Sequence, residues 1–553
     1  MAIMYLEKYQ DRNTLYNELR VLKNCPENLL LIVWFAFLPM VQNLMKILDS
    51  KFDSKSGNKA IPRTALLIAT LYSFSENIEK YEGMEKLCTK DEFLKIALCG
   101  LEPSRGTFSN FLNKSDPVVI NKVFACTLVL LNDIGAFKLV KLFIDGTDLL
   151  VRASRHFKIY RNEVKALRLL GAWNLIHNNT PSTINYTVRM LNQRLDSGMY
   201  SEDTEKLIKL ALRRIKIYNK RNYKKLHTYE AVFADKGVDS CSIVFPHCVW
   251  MKTKKGRSDF AINLQEVVTQ NHVILVGFPL RQSNDQKAFP EVHKQIKKTL
   301  GYFYELNEKY GEINNVDGLR KKEKLVKYIM DAGYFTNENL YYIYQLGLNA
   351  LIMPLIIATS NNFKYKKDEE PSSIKVKYER VKNGYLCLSK KFMKYIGSKE
   401  IKKRKKDEIW TYYPISSCSM YNWSKILEKP EIPDVLKKRK FFFQRKHCKG
   451  CLFKDKCVHN PLVYQTTQLL FDATEKFLDK RHSIIYPERF SRSESINGAI
   501  KGPDGSYKLV GTTDIAIRNE IHLKNAVYNL IRHDNIKGIR RISVLHRVPT
   551  AIC

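Results

Sequence analysis

The chain has 553 residues, with 92 Lys and Arg against 56 Asp and Glu, which leaves a formal net charge of +36 and an isoelectric point near 9.6. This length excludes a single small domain and predicts roughly two to four folded units. A positive surplus of this size causes self-repulsion in the free protein and favours a polyanionic partner, with nucleic acid as the first expectation. A codon bias towards lysine would explain part of the surplus, but not its concentration in particular segments.

The sequence predicts a soluble intracellular protein. Its first twenty residues are polar and charged, unlike a secretory signal. The longest apolar run, residues 29–41, contains Pro39 and is too short to span a bilayer, so we expect a buried helix there. Most of the twelve cysteines stand singly, which favours reduced core thiols.

Apolar residues recur at intervals of three and four up to about residue 135, which predicts a helical N-terminal domain over residues 1–135. Within it, "PSRGTFSNFLNK" has the turn and the short basic helix of a helix-turn-helix DNA reader. An ordinary bundle helix explains the same letters equally well. A DNA-binding role for this domain is therefore one of two readings.

The pattern changes to a mixed sheet covered by helices over residues 136–356. "FKLVKLFIDGTDLLV" predicts a strand that carries Asp145 near its end, and a basic helical insertion is expected at about 152–230. A hairpin joined at Gln270-Asn271 and a helix follow. "KLVKYIMDAGYFTNENLYYIYQLGLNALIMPL" then predicts strand, turn, helix and strand, with Asp331 at the end of the first strand. An inserted Lys- and Cys-rich domain is expected at 357–482, and final helices at 483–553.

Carboxylates at the ends of strands are well placed for metal chemistry, because a rigid sheet holds them at its edge. Mg²⁺ and Mn²⁺ prefer oxygen ligands and retain several waters, so a few fixed carboxylates are sufficient for two-metal phosphoryl transfer. Asp145 and Asp331 hold such positions. A third carboxylate from a separate helix would complete the set.

Three segments carry a resemblance to a known family. "FIDGTDLLVRAS", "MDAGYFTNENL" and "ERFSRSESINGAIKG" resemble, in this order, the catalytic blocks of bacterial insertion-sequence DDE transposases of the branch with a YREK-type final block. The resemblance implies an RNase H-like α/β core and a DNA transposase that cleaves transposon ends and joins them to target DNA. It implies Asp145, Asp331 and Glu494 as ligands of two Mg²⁺ or Mn²⁺ ions. Its expected partners are terminal inverted repeats, target DNA and a second copy in a synaptic homodimer, in the bacterial cytoplasm at the nucleoid and away from membranes.

The final block also implies DNA or phosphate contacts by Tyr486, Arg489, Arg492 and Lys501. Glu494 and Lys501 have the family spacing, and so do Tyr486 and Arg489. Four residues, however, separate Arg489 from Glu494, where the family signature usually has three. Arg489 and Arg492 therefore remain competing candidates for the phosphate contact.

"HCKGCLFKDKC" contains a zinc-knuckle spacing, but its three cysteines need a fourth ligand for a tetrahedral site. The resemblance suggests a structural Zn²⁺ held by Cys387, Cys448, Cys451 and Cys457. Cys418, His447 and His459 are rivals for the fourth position. Reduced thiols without a metal are the alternative.

Other readings stay open beside the transposase. Asp148 is an alternative to Asp145 as the ligand from this strand, but it points to the opposite face of the strand from Asp145. Asp285 is expected to be a helix N-cap, with an accessory site role as the alternative. Glu488 is expected to pair with Arg492 on the surface. The protein could also be a domesticated, non-transposing DNA-binding protein or a stand-alone RNase H-like DNA endonuclease.

Overall fold

The computed structural model describes most of the chain with gaps. The described residues are 12–50, 61–151, 153, 158–169, 181–198, 201–215, 226–234, 240–242, 244–246, 248–252, 258–280, 282–313, 315–355, 357, 379–387, 390–401, 433–443, 463–479, 482, 485–494, 496, 498, 508–511 and 513–537. All structural statements below concern these residues.

The described residues before the first strand form helices, as predicted. They are α1 (Arg12–Val21), α2 (Glu27–Ala36), α3 (Pro39–Ser50), α4 (Arg63–Ser75), α5 (Tyr81–Lys90), α6 (Glu92–Ala97), α7 (Arg105–Lys114) and α8 (Pro117–Asp133). The side chains of Asp91, Ser104 and Asp116 cap α6, α7 and α8. These caps satisfy backbone N–H groups that have no partner within the helix.

Two segments whose sequence pattern predicts a single helix each form two helices: α2 with α3, and α4 with α5. Pro39 opens α3, because its fixed φ suits the first position of a helix but not the interior of one. Asn77 has a positive φ of 54° and separates α4 from α5. Among the described residues no single helix is long and apolar enough to cross a membrane; the bent pairs α2–α3 and α7–α8 satisfy that test only by combined length and composition.

A seven-stranded mixed sheet forms the centre of the molecule. Its order is β4-β5-β1-β7-β8, with β6 also paired to β5 and β14 to β1. Strands β1, β7 and β8 run parallel to one another, whereas β5 is antiparallel to β1 and to β6. The strands are β1 (Lys141–Val151), β4 (Val249–Lys252), β5 (Ser258–Thr269), β6 (Ile274–Leu280), β7 (Lys327–Met330), β8 (Asn349–Ile352) and β14 (Lys508–Leu509).

Helices connect and cover these strands. Between β1 and β4 the described elements are β2 (Lys158–Tyr160), α9 (Arg161–Leu169), α10 (Pro181–Asp196), α11 (Glu202–Ile215), α12 (Leu226–Ala234) and β3 (Ser240–Ser242). The insertion expected at about 152–230 is therefore mainly helical where it is described, but it also contains strand β2, and β3 lies beyond its predicted end. The sheet connections use α13 (Phe289–Tyr310), α14 (Val316–Glu323) and α15 (Asn337–Gln345), and the predicted hairpin turns at His272 with φ of 58°. The sequence patterns therefore predicted the hairpin, the helix after it and the final strand, turn, helix and strand in their order, but did not predict β2, β3, β4 or α14.

A second, five-stranded antiparallel sheet follows the first. Its order is β13-β12-β11-β10-β9. The strands are β9 (Glu379–Val381), β10 (Gly384–Leu386), β11 (Phe392–Glu400), β12 (Lys438–Phe443) and β13 (Val463–Thr467), and β13 leads into α16 (Gln468–Phe477). One face buries Tyr385, Met393, Phe441 and Phe443 against Phe471 of α16. The other face points away from α16.

The last helix, α17 (Asp514–Lys537), joins the N-terminal helices to the central sheet. Buried apolar residues from α1 to α17 form one continuous cluster, so the helices before residue 135 share a core with the sheet. Asn519 donates hydrogen bonds to the carbonyl oxygens of Leu112 and Ser115. Further along, buried Asn529 donates to Thr127 Oγ1 and to the carbonyl of Ile274, and accepts from the amide of Ile274.

Replacing Asn529 with Ala should lower the free energy of unfolding by about 2–4 kcal/mol, because it leaves the buried amide and carbonyl of Ile274 without their partner. The midpoint of urea unfolding measures this change. Asn535, which is exposed on the same helix, provides the matched control, and Asn535→Ala should shift the midpoint very little. Equal shifts in the two variants would show that Asn529 does not join the two layers.

Candidate active site

The register of two parallel strands places Asp145 beside Asp331. Strand β1 pairs with β7 from Lys141 to Ile144, and the last pair is Ile144 with Met330. Asp145 and Asp331 are the next residues along these two strands. Asp331 follows the carboxyl end of β7, whereas Asp145 lies within β1, which continues to Val151, so the expectation that Asp145 stands near the end of its strand is wrong. Asp145 is buried, and the Asp331 side chain is one third exposed, at 33%. The two carboxylates therefore share a partly buried edge of the sheet.

Arg489 supplies positive charge to both aspartates. Its Nη2 donates to Asp145 Oδ1 at 2.6 Å and lies 3.7 Å from Asp331 Oδ2. The guanidinium of Arg489 is itself buried. A buried ion pair is stable only when its geometry compensates for the hydration that both charged groups lose. Burial opposes the charge of Arg489, but Asp145 and Asp331 outweigh it and raise the pKa of the guanidinium.

A third carboxylate, Asp285, lies at the same edge. Its Oδ1 accepts hydrogen bonds from Asn263 Nδ2 at 2.9 Å and from Gln265 Nε2 at 2.7 Å. The expectation that Asp285 caps the following helix is wrong, because α13 begins at Phe289 with Ala288 at the N-cap position and no side-chain cap. The structure thus favours the alternative, in which Asp285 belongs to the site.

Close packing holds the three carboxylates together. A Cβ atom on Gly146 would lie 2.5 Å from Asp285 Oδ1, and one on Gly333 would lie 3.1 Å from Asp331 Oδ1. Gly333 also donates its amide to Asp331 Oδ1 at 2.9 Å. The hydroxyl of buried Tyr334 donates to Gln265, which in turn donates to Asp285. Glycine at these two positions leaves room for the carboxylates.

Negative charge exceeds positive charge in this cluster. Burial raises the pKa of Asp331 to about 6; Arg489 opposes the rise, whereas Asp145 and Asp285 add to it. Burial also raises the pKa of Asp285, against the hydrogen bonds from Asn263 and Gln265. Three carboxylates with one described guanidinium favour the binding of additional cations.

Residues of the final sequence block contact different parts of the structure, and only some of them reach this site. Arg492 donates to Nε2 of His272 in the hairpin turn, and burial together with Arg492 and Arg532 lowers the pKa of His272 to about 4. Of the two competing arginines, Arg489 is the one that reaches the aspartates. Glu488 pairs with Lys141 of β1 at 2.8 Å rather than with Arg492, contrary to expectation.

Tyr486 supports the site from the core. It is only 4% exposed and packs against Phe477 with the rings nearly perpendicular. Burial raises the pKa of its hydroxyl to about 12, against the lowering effect of Arg489. The expected contact of Tyr486 with DNA stays a prediction.

A π-turn accommodates the additional residue of the final block. Phe490–Glu494 forms this turn directly after Arg489. A π-turn closes hydrogen bonds from residue i to residue i+5, so Glu494 stands over Arg489 as the residue four positions on does in an α-helix. The backbone of the π-turn therefore places Glu494 at the same rotational position relative to Arg489 as it would have in an α-helix with only three residues between the two. Lys501 lies outside the described residues.

The donor set fits a hard divalent cation. Asp145, Asp285 and Asp331 offer only oxygen ligands, and the raised pKa values of Asp285 and Asp331, together with the surplus of negative charge, indicate a site that a cation would stabilise. In the described ranges no group of three or more His, Cys, Asp or Glu side chains is arranged as a ready metal site. Cys448, Cys451 and Cys457 lie outside the described residues, as do Cys418, His447 and His459. Half-buried Cys387 lies beside the core of the second sheet, and the zinc site stays a prediction.

Asp331→Asn should stabilise the folded protein at neutral pH. The pKa of Asp331 is raised from 3.8 to about 6 on folding, so ionisation costs stability above pH 6, and this cost disappears below about pH 4. Because a third of the side chain is exposed, we expect about 1 kcal/mol rather than the roughly 3 kcal/mol of a fully buried group.

Urea unfolding of wild type and Asp331→Asn at pH 4, 6 and 8 measures this difference, which should increase with pH. Exposed Asp317 provides the control, and Asp317→Asn should show no such pH dependence. A constant difference for Asp331→Asn across the three pH values would refute the raised pKa.

Comparison with known proteins leaves the site to be interpreted from its own geometry. A scan against protein-family models, a search of curated proteins and a search of solved structures each gave no match. The function proposed below therefore depends on the strand register, the three carboxylates and Arg489.

Proposed function

We propose that the protein is a DNA transposase of the DDE type, which cleaves DNA at transposon ends and joins the freed ends to target DNA. The observation that carries this proposal is the side-by-side placement of Asp145, within β1, and Asp331, at the end of the parallel strand β7, with Arg489 buried against both. Enzymes that transfer phosphoryl groups with two metals need such closely set carboxylates on a rigid scaffold.

The strand order supports the same conclusion. Read along the sheet, β6-β5-β1-β7-β8 has an antiparallel hairpin on one side of β1 and parallel strands on the other. Numbered along the chain, these five strands run 3-2-1-4-5, which is the order of an RNase H-like sheet. The net charge of +36 supports a polyanionic substrate.

Each residue has a role in this proposal. Asp145, Asp331 and Glu494 would hold Mg²⁺ or Mn²⁺, and Asp285 would add a fourth carboxylate. Two such ions activate a water and stabilise the leaving oxygen of a phosphodiester. Asn263 and Gln265 fix the orientation of Asp285 by hydrogen bonds. With a cation on Asp145, Arg489 would no longer be needed to neutralise that carboxylate, and its guanidinium would be able to contact a DNA phosphate.

DNA that carries the inverted repeats flanking the gene tests the activity directly. With Mg²⁺, wild type should cleave at the repeat ends to leave a 3′-OH and then join that end to a second duplex. Asp145→Asn should lower cleavage by roughly a thousandfold or more, because it removes a charged ligand. Asp148→Asn, three residues further along β1, is the matched control and should retain cleavage.

The same assay separates the alternatives. Cleaved but never joined ends would indicate a stand-alone nuclease, and binding without cleavage would indicate a domesticated DNA-binding protein. Arg489→Ala should reduce cleavage by about a hundredfold, whereas Arg492→Ala should reduce it much less because Arg492 contacts the hairpin turn. Equal cleavage by wild type and Asp145→Asn would refute the proposed site.

The π-turn gives a test of the role of Glu494. Deleting Ser491, which is exposed, removes one residue between Arg489 and Glu494 and lets the turn become α-helical. Glu494 would keep its phase over Arg489, so we expect cleavage to stay within about tenfold of wild type.

The double variant Ser493→Glu with Glu494→Ser is the control, since it has the same composition and moves the carboxylate by one position. It should lose at least about a hundredfold in cleavage, as expected for a misplaced catalytic group. The result that would contradict this role of the turn is a deletion variant as inactive as the exchanged one.

A further inference from the structure

The outer face of the second sheet, the face turned away from α16, carries three exposed lysines, Lys394, Lys399 and Lys440. Cross-strand register places Lys399 directly opposite Lys440, and Lys394 opposite Gly384, all on this face. The three lysines are exposed, and none has a carboxylate partner within the described part of the chain. Lysines directly opposite each other on a sheet repel, so this arrangement is unfavourable for the isolated fold.

Apolar side chains lie between these lysines. Phe392 is 44% exposed, Ile396 is 63% exposed and Phe442 is half-buried. By contrast, the inner face packs Phe441 flat against Phe471 at a ring distance of 4.1 Å. The outer face thus has no role in the core of the sheet, and its residues are available to a partner.

We propose that this outer face binds the phosphate backbone of duplex DNA. The inference rests on the proposed function in one respect only, the identification of the polyanion as DNA. Lysine ammonium groups act as flexible point charges that suit phosphate oxygens, and contacts to phosphate carry no sequence information. The contact is therefore independent of DNA sequence. Each neutralised phosphate relieves the repulsion between lysines and releases counterions.

The position of the sheet links this surface to the candidate site. Helix α16 buries Phe471 in the second sheet and Phe477 against Tyr486. The hydroxyl of Thr467, at the end of β13, donates to Asn337 of α15 at 2.8 Å. DNA bound to the outer face is consequently attached to a body that packs directly against the final catalytic block.

Binding of a fluorescein-labelled duplex of mixed sequence, measured by anisotropy over a range of salt concentrations, tests the proposal. The triple variant Lys394→Gln, Lys399→Gln and Lys440→Gln should lower the slope of log affinity against log salt by about 3, with a loss of affinity of roughly tenfold or more at moderate salt. The fold should persist because the changes relieve like-charge repulsion. Lys440→Gln alone should lower the slope by about 1.

Three exposed lysines of the loop and helix at α14 provide a control of equal charge: Lys321→Gln, Lys322→Gln and Lys324→Gln. This control should change the slope by less than half as much. Equal losses in the two triple variants, or tighter binding of a single strand than of the duplex, would overturn the proposal. Wild type that binds duplex but never cleaves it would overturn the transposase and leave this surface intact, whereas wild type that binds no duplex would overturn both.

Discussion

The parallel register between β1 and β7 determines where negative charge collects in this protein. Because pairing ends at Ile144 and Met330, the following residues, Asp145 and Asp331, lie side by side in a partly buried place. Two carboxylates so placed repel each other, and the chain brings Arg489 from its far C-terminal part to neutralise them. A slip of one residue in this register would turn the carboxylate of the shifted strand to the other face and separate it from the other carboxylate.

The need to neutralise these two carboxylates explains why segments that are distant in the sequence pack against the sheet. Arg489 reaches Asp145 only if the final block lies against β1, and Glu488 secures it there through Lys141. Helix α17 returns through the core and bonds to both the N-terminal helices and β6, through Asn519 and Asn529. The N-terminal helices therefore belong to the body that supports the site.

Sequence periodicity predicted much of this arrangement, because strand and helix periods and strand-end aspartates are local signals. Asp145 and Asp331 could be found in this way. Asp285 was expected to cap a helix. Its position in the site was not predicted, because that position depends on hydrogen bonds from Asn263 and Gln265, which lie in a strand more than fifteen residues away. Those two residues lie two positions apart, and therefore on one face of β5, with apolar neighbours on either side of Asn263, and that signal could have indicated a buried polar partner. The choice of Arg489 over Arg492 depends on a π-turn that no local pattern reveals.

The distribution of charge places a physical condition on any reaction at this site. The chain as a whole carries a net positive charge, whereas Asp145, Asp285 and Asp331 are gathered around one described guanidinium. A phosphodiester that enters such a site adds further negative charge, and Arg489 alone cannot neutralise both the carboxylates and the substrate. Divalent cations would resolve this conflict, because each would compensate carboxylate and phosphate at once. Phosphate chemistry and a metal requirement are therefore a single proposal for this site.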